Sequence, residues 1–195
     1  MDPDAYLCQL AEIFNGISVN TPSLSAIIAI ILAGLLLLAS GFASASEIAF
    51  FSLSPSDLND IEEGNHPSDG KISNLLADSE RLLATILITN NFVNVTIIML
   101  CNFFFMNVFV FHSPLAEFLI LTVILTFLLL LFGEIMPKIY SAQKTLAFCR
   151  FSAPVIYMLR KVFAPISAVL VHSTAFLNKH FAKKNHNISV DELSH

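Results

Sequence analysis

Three small groups of polar residues carry the chemistry of this chain: Ser40 with Ser44, Asn90 and Asn91 with Asn94, and Gly133-Glu134 three residues ahead of Pro137. Each lies in or at the end of a long apolar run. There a polar side chain is costly and ordinarily faces a bundle interior or a pathway. Hydroxyls, amide carbonyls, a backbone carbonyl and one carboxylate are hard oxygen donors. They suit Mg2+ or Ca2+, and Mg2+ takes about six oxygens near 2.1 Å. No His or Cys joins them, which argues against Zn2+ or copper. The chain also offers no nucleophile–base pair and no Gly-rich phosphate loop, so an enzyme is not expected.

Helix geometry says how these groups would be presented. Ser40 and Ser44 are four apart and share a face, with Glu47 close to the same line. Gly41, Ala43 and Ala45 keep that face thin enough for another helix to approach closely. Asn90 and Asn94 repeat the four-residue spacing. In an α-helix the amide of residue 137 would bond the carbonyl of residue 133, but proline has no amide hydrogen. The Gly133 carbonyl is thus freed beside Glu134, in a helix predicted to be locally widened or broken. Irregular backbone at membrane depth is tolerated only where it is buried in protein or lines a cavity. One carboxylate against a divalent ion leaves residual positive charge, so such a site would hold the ion without trapping it. Lys138 either pairs with Glu134 when the ion is absent or sits at the cytoplasmic headgroups. The same residue types also serve plain packing: serines can bond their own helix carbonyls, and asparagines can join helices. Asn102 and Asn107 are read that way.

The elements that would position these residues follow from composition. Of 195 residues, 55% are hydrophobic and 13% charged, against about 25% charged in soluble domains. The expectation is an all-α membrane protein with three transmembrane helices followed by juxtamembrane amphipathic helices at the cytoplasmic face. Spanning takes roughly 20 apolar residues; the candidates are 24–51, about 82–111, and 115 to about 132. Thr21-Pro22 would start the first, and Ser113-Pro114 the third. Ser54-Pro55 opens a short helix, and residues 64–70 read as a loop. After Lys138, Arg150, Arg160 and Lys161 interrupt an apolar stretch, as in interfacial helices.

Residues 1–24 carry Asp2, Asp4 and Glu12 but no Lys or Arg, and eight of the ten basic residues lie from Lys138 onward. That asymmetry puts the N-terminus outside and the C-terminus in the cytoplasm. The acidic N-terminus is unlike a cleavable signal, and Cys8, Cys101 and Cys149 make no metal or disulfide framework. The expected division is an extracytoplasmic segment 1–21, a membrane domain 22–138, juxtamembrane helices 139–184, and from 185 a linker to an absent cytoplasmic domain, where Ser189 and Glu192 resemble a capping box.

"SGFASASEIAFFSLSP" (40–55), "LLATILITNNFVN" (82–94) and "GEIMPK" (133–138) resemble, in order and spacing, the membrane domain of the CNNM/CorC family of magnesium transporters. The resemblance implies a homodimer in the bacterial inner membrane. It implies one Mg2+ per subunit, held by groups matching Ser40, Ser44, Asn90 or Asn91, Asn94, Gly133 and Glu134, with Mg2+ efflux as the activity. Family members continue into a CBS-domain pair that binds ATP, so ATP would act only through that absent region. Two departures stand out: Thr89 replaces a common glycine, and Glu47 adds a second acid near the pathway. The terminal segments also resemble the family's gliding-motility-associated branch. The alternative function is therefore a membrane scaffold or regulatory subunit with motility or secretion partners. Besides these the partner is the lipid bilayer; no nucleic acid is expected.

Overall fold

The computed structural model describes residues 18–110 and 114–168. The readings of residues 1–17, the Ser113 cap, the last part of the juxtamembrane region and the linker lie outside those residues. Within them the elements are helices apart from β1 (Ser18–Val19) and β2 (Phe109–Val110), which pair antiparallel with Ser18 opposite Val110.

Three helices are long and apolar enough to cross a bilayer among the described residues. The first, α1, spans Leu24–Phe51, as the sequence suggests, but Thr21 is not its cap. Ser23 Oγ accepts the Ala26 amide at 3.2 Å, because the helix starts at Leu24, two residues beyond Pro22. Two short helices follow, α2 (Pro55–Glu62) and α3 (Asp69–Leu76). The second long helix, α4, runs Ser79–Val108, starting and ending three residues earlier than expected. The third begins as α5 (Pro114–Leu128), passes through a π-helical segment at Leu129–Ile135, and continues as α6 (Met136–Gln143). Last comes α7, Thr145–Val162.

Contacts divide the described residues into two compact units. One comprises the chain up to Ile48 with Asn90–Gln143, and its core is Ala33, Val93, Ile97, Cys101 and Leu125. Its outer faces carry the opposite pattern from a soluble protein. Ile28, Ile31, Leu35 and Leu38 on α1, and Phe92, Val95, Met99, Phe103 and Met106 on α4, form exposed apolar stripes at three- and four-residue steps. Such stripes are stable facing lipid hydrocarbon and not water.

The other unit comprises Ala49–Thr89 and the residues from Lys144 onward. Ser54 caps α2 in a capping box with Asp57, and Pro55 occupies the first turn. The stretch expected to be a loop through residue 70 ends earlier. Asp69 opens α3, and its carboxylate takes two charge-assisted bonds from Arg150 on α7, at 2.8 and 3.1 Å, plus the His66 amide at 2.8 Å. Asp69 is only 1% exposed, so those bonds meet the cost of burying its charge. They hold its carboxyl below the usual carboxylate range, the Arg150 hydrogen bond being the largest influence. Helix α7 is amphipathic, burying Cys149, Ser152, Ala153 and Ile156.

Candidate cation site

The α1 serines lie where the thin face of that helix meets the π segment. Ser40, Ser44 and Ser46 are all fully buried. A Cβ built on Gly41 would stand 2.9 Å from Pro137 Cγ and 3.2 Å from the Phe132 carbonyl oxygen. One built on Gly133 would stand 3.1 Å from Ser40 Oγ. Each segment therefore carries a glycine where the other comes closest. Only the missing side chains permit that approach.

The π segment has a local cause. The Met136 amide bonds the Leu131 carbonyl, five residues back. In that register residue 137 would bond the Phe132 carbonyl, and in the α register the Gly133 carbonyl. Pro137 donates to neither. The widening expected from sequence is present, and in the observed register the donor that proline lacks is the one for the Phe132 carbonyl, one residue before the Gly133 carbonyl named from the sequence.

Ser40 Oγ lies 2.9 Å from Asn90 Oδ1 and 2.6 Å from Asn94 Oδ1. A serine has a single hydroxyl hydrogen, so it cannot satisfy both carbonyl oxygens fully. Three oxygens crowd together with one proton among them. One turn further along α1, Ser44 Oγ is buried and has no hydrogen-bond partner among the described residues. Ser46 shows the local alternative, returning its hydroxyl to the Phe42 carbonyl at 2.7 Å. Thr85 and Thr89 do the same on α4, to the Arg81 and Thr85 carbonyls. Ser44 does not take this option.

The remaining expected site residues divide. Glu134 is half-buried next to Gly133, and no hydrogen bond or ion pair engages its carboxylate among the described residues. Asn91 is exposed and stands apart from the Ser40–Asn90–Asn94 cluster, because successive helix residues point about 100° apart. Lys138 does not pair with Glu134. Its Nζ lies 3.2 Å from Glu47 Oε2, both side chains about one-third exposed or less. The second acid is thus matched by a cation, and Glu134 remains the unmatched one. Sequence reasoning did not foresee Ser141, whose hydroxyl donates to the Ala45 carbonyl at 2.6 Å and ties α6 to the serine helix. Nor did it give Asn107 a partner; Ser23 donates to it at 3.2 Å. Among the described residues no three His, Cys, Asp or Glu side chains cluster as a metal site, so any cation here would rest mainly on neutral oxygens.

The family model described as the cyclin M transmembrane N-terminal domain matches residues 30–195. A "UPF0053 protein" of Haemophilus influenzae is 32% identical over 130 residues, 67% of this chain. The chain spans only 30% of that relative's length. With the three spanning helices and a family match over most of its length, this chain belongs to the CNNM family as a multi-pass membrane domain.

Proposed function

We propose that this domain conducts a divalent cation, Mg2+ in the first instance, through the membrane, and that its activity is export from the cytoplasm. The observation that carries the reading is Ser44 Oγ, buried without a partner among the described residues one turn from a serine whose single proton is shared between two amide oxygens. A buried hydroxyl left unsatisfied costs about 1–3 kcal/mol, and a bound cation would recover that cost. Ser40, Ser44, Asn90, Asn94 and the carbonyls at Phe132 and Gly133 supply neutral oxygen. Glu134 supplies the charge. These are the donors a hard cation takes, and the reading is of transport, with no bond made or broken in a substrate.

On the same reading the family likeness supports a homodimer in a bacterial inner membrane, and the basic residues gathered after Lys138 support an N-terminus outside and a C-terminus in the cytoplasm. ATP control, and any motility or secretion partner, would act through regions outside this domain. The test has two parts. Mg2+ is expected to raise the unfolding temperature of the purified protein but not that of Glu134→Gln, and reconstituted protein is expected to move Mg2+ across vesicles. An unchanged Mg2+ shift in Glu134→Gln refutes the ligand assignment. Binding without flux, beside a working transporter control, favours the scaffold.

A further inference from the structure

The second unit holds a cluster of cations for which ion conduction has no use. A cavity of about 380 Å³ is lined by Asn74, Asp78, Arg81, Arg160, Lys161 and Ser167, within the span of about 300–1,000 Å³ typical of small-molecule sites. Three cations meet one carboxylate there, so positive charge is in surplus.

Each cation is held in place yet keeps donors to offer. Arg81 Nε lies 3.3 Å from Asp78 with its side chain 52% exposed. Arg160 donates to the Asn74 carbonyl at 3.1 Å and to its Oδ1 at 2.5 Å, which leaves its other N–H groups unused. The Tyr157 ring lies 5.4 Å from the Arg160 guanidinium carbon and 4.9 Å from Lys161 Nζ. No carboxylate pairs with Arg160 or Lys161 among the described residues. Guanidinium forks beside a compact ammonium are the chemistry that recognises phosphate.

Two features set the depth of the cavity. Arg81 immediately precedes the apolar run of α4 that begins at Leu82. On α7, Phe151, Val155, Met158 and Val162 form an exposed apolar stripe beside its buried stripe, as in a helix lying in the membrane interface. Arg160 and Lys161 end that helix. We propose that this cavity binds the phosphate of an anionic glycerophospholipid headgroup, anchoring the second unit to the membrane surface.

The test is lipid retention by the delipidated protein in detergent, read by native mass spectrometry, with phosphatidylglycerol or phosphatidylcholine added. Phosphatidylglycerol is expected to bind in preference. Lys161→Gln and Arg81→Gln should each weaken it about fivefold, as for one basic residue near a charged surface. Asp78→Asn keeps the amide carbonyl that can cap α4 and removes the competing charge, so it should tighten binding by a similar factor. A misfolded variant cannot produce that gain. Equal retention of the two lipids overturns the proposal, as does an unchanged affinity in Asp78→Asn or Lys161→Gln. Displacement by millimolar inorganic phosphate alone overturns the lipid assignment in favour of a water-soluble phosphate compound.

Discussion

Replacing Ser44 with alanine separates a cation ligand from a packing group by the sign of the effect. The hydroxyl is buried and unpartnered among the described residues, at a cost of about 1–3 kcal/mol in the ion-free protein. Removing one oxygen leaves a void too small for water and relieves that cost. Ion-free Ser44→Ala is therefore expected to be more stable by about 1 kcal/mol, or about 2–4 °C in Tm for a chain of this size. The Mg2+ response should move the other way. At a Mg2+ concentration about 100 times Kd the wild type gains about 2.7 kcal/mol. A charge-assisted contact is worth about 1.5–3 kcal/mol, so the variant binds about 10- to 150-fold more weakly. Its gain at the same Mg2+ concentration falls to about 1.4 kcal/mol or less. Thermal unfolding with MgCl2, against NaCl at matched ionic strength, reads both numbers. A variant that is less stable without the ion and keeps the full Mg2+ shift would show that Ser44 serves packing, and the reasoning fails.

Gly41→Ala places a methyl 2.9 Å from Pro137 Cγ; overpacking of this kind costs about 1–3 kcal/mol, and an unchanged Tm would show that the contact yields freely. Lys138→Gln leaves Glu47 without its 3.2 Å partner one turn from Ser44, so titration calorimetry should find tighter divalent-cation binding; unchanged affinity would place Glu47 outside the field of the site. Asp69 titrates with a lowered pKa in the folded state, so its contribution is present above the unfolded value of 3.8 and lost as pH falls through the folded one. Thermal unfolding across that range should show an acid-side loss that is smaller in Asp69→Asn, with Asp57, also lowered by its Ser54 hydrogen bonds, supplying part of the remainder.

The spans were legible because lipid rewards unbroken hydrocarbon, and "LSAIIAIILAGLLLL" can hardly be anything else. The π widening was legible because a proline deletes one identifiable donor. Helix α3 was not, since Pro67 and Gly70 sit where a loop would place them, and its warrant is a buried pair between Asp69 and Arg150, 81 residues apart. Choosing between Asn90 and Asn91 needed the rotation of α4. A signal existed: Asn90, Val93, Ile97 and Cys101 follow the three- and four-residue steps of a buried stripe, with half-buried Asn94 at its edge, while Asn91 precedes the exposed stripe that starts at Phe92. The partner of Lys138 was beyond reach, because a pair between helices depends on their register, and the sequence offered only Glu134 or the headgroups.

The segment from Phe132 to Lys138 thus sets three properties at once. Pro137 withholds an amide and leaves carbonyl oxygen available, and its ring is also what closes on Gly41. The same approach brings Gly133 against Ser40, so the widened turn and the serine face each depend on the other's glycine. Lys138, the next residue, turns to Glu47 and neutralises it. Had it paired with Glu134, the acid left over would stand on α1 and not in the turn where proline withholds a donor. As built, charge and backbone oxygen come from one turn of one helix. On the proposed reading, a rearrangement of that turn would weaken the carboxylate and backbone contacts to a cation together, which release of a transported ion requires and permanent binding does not.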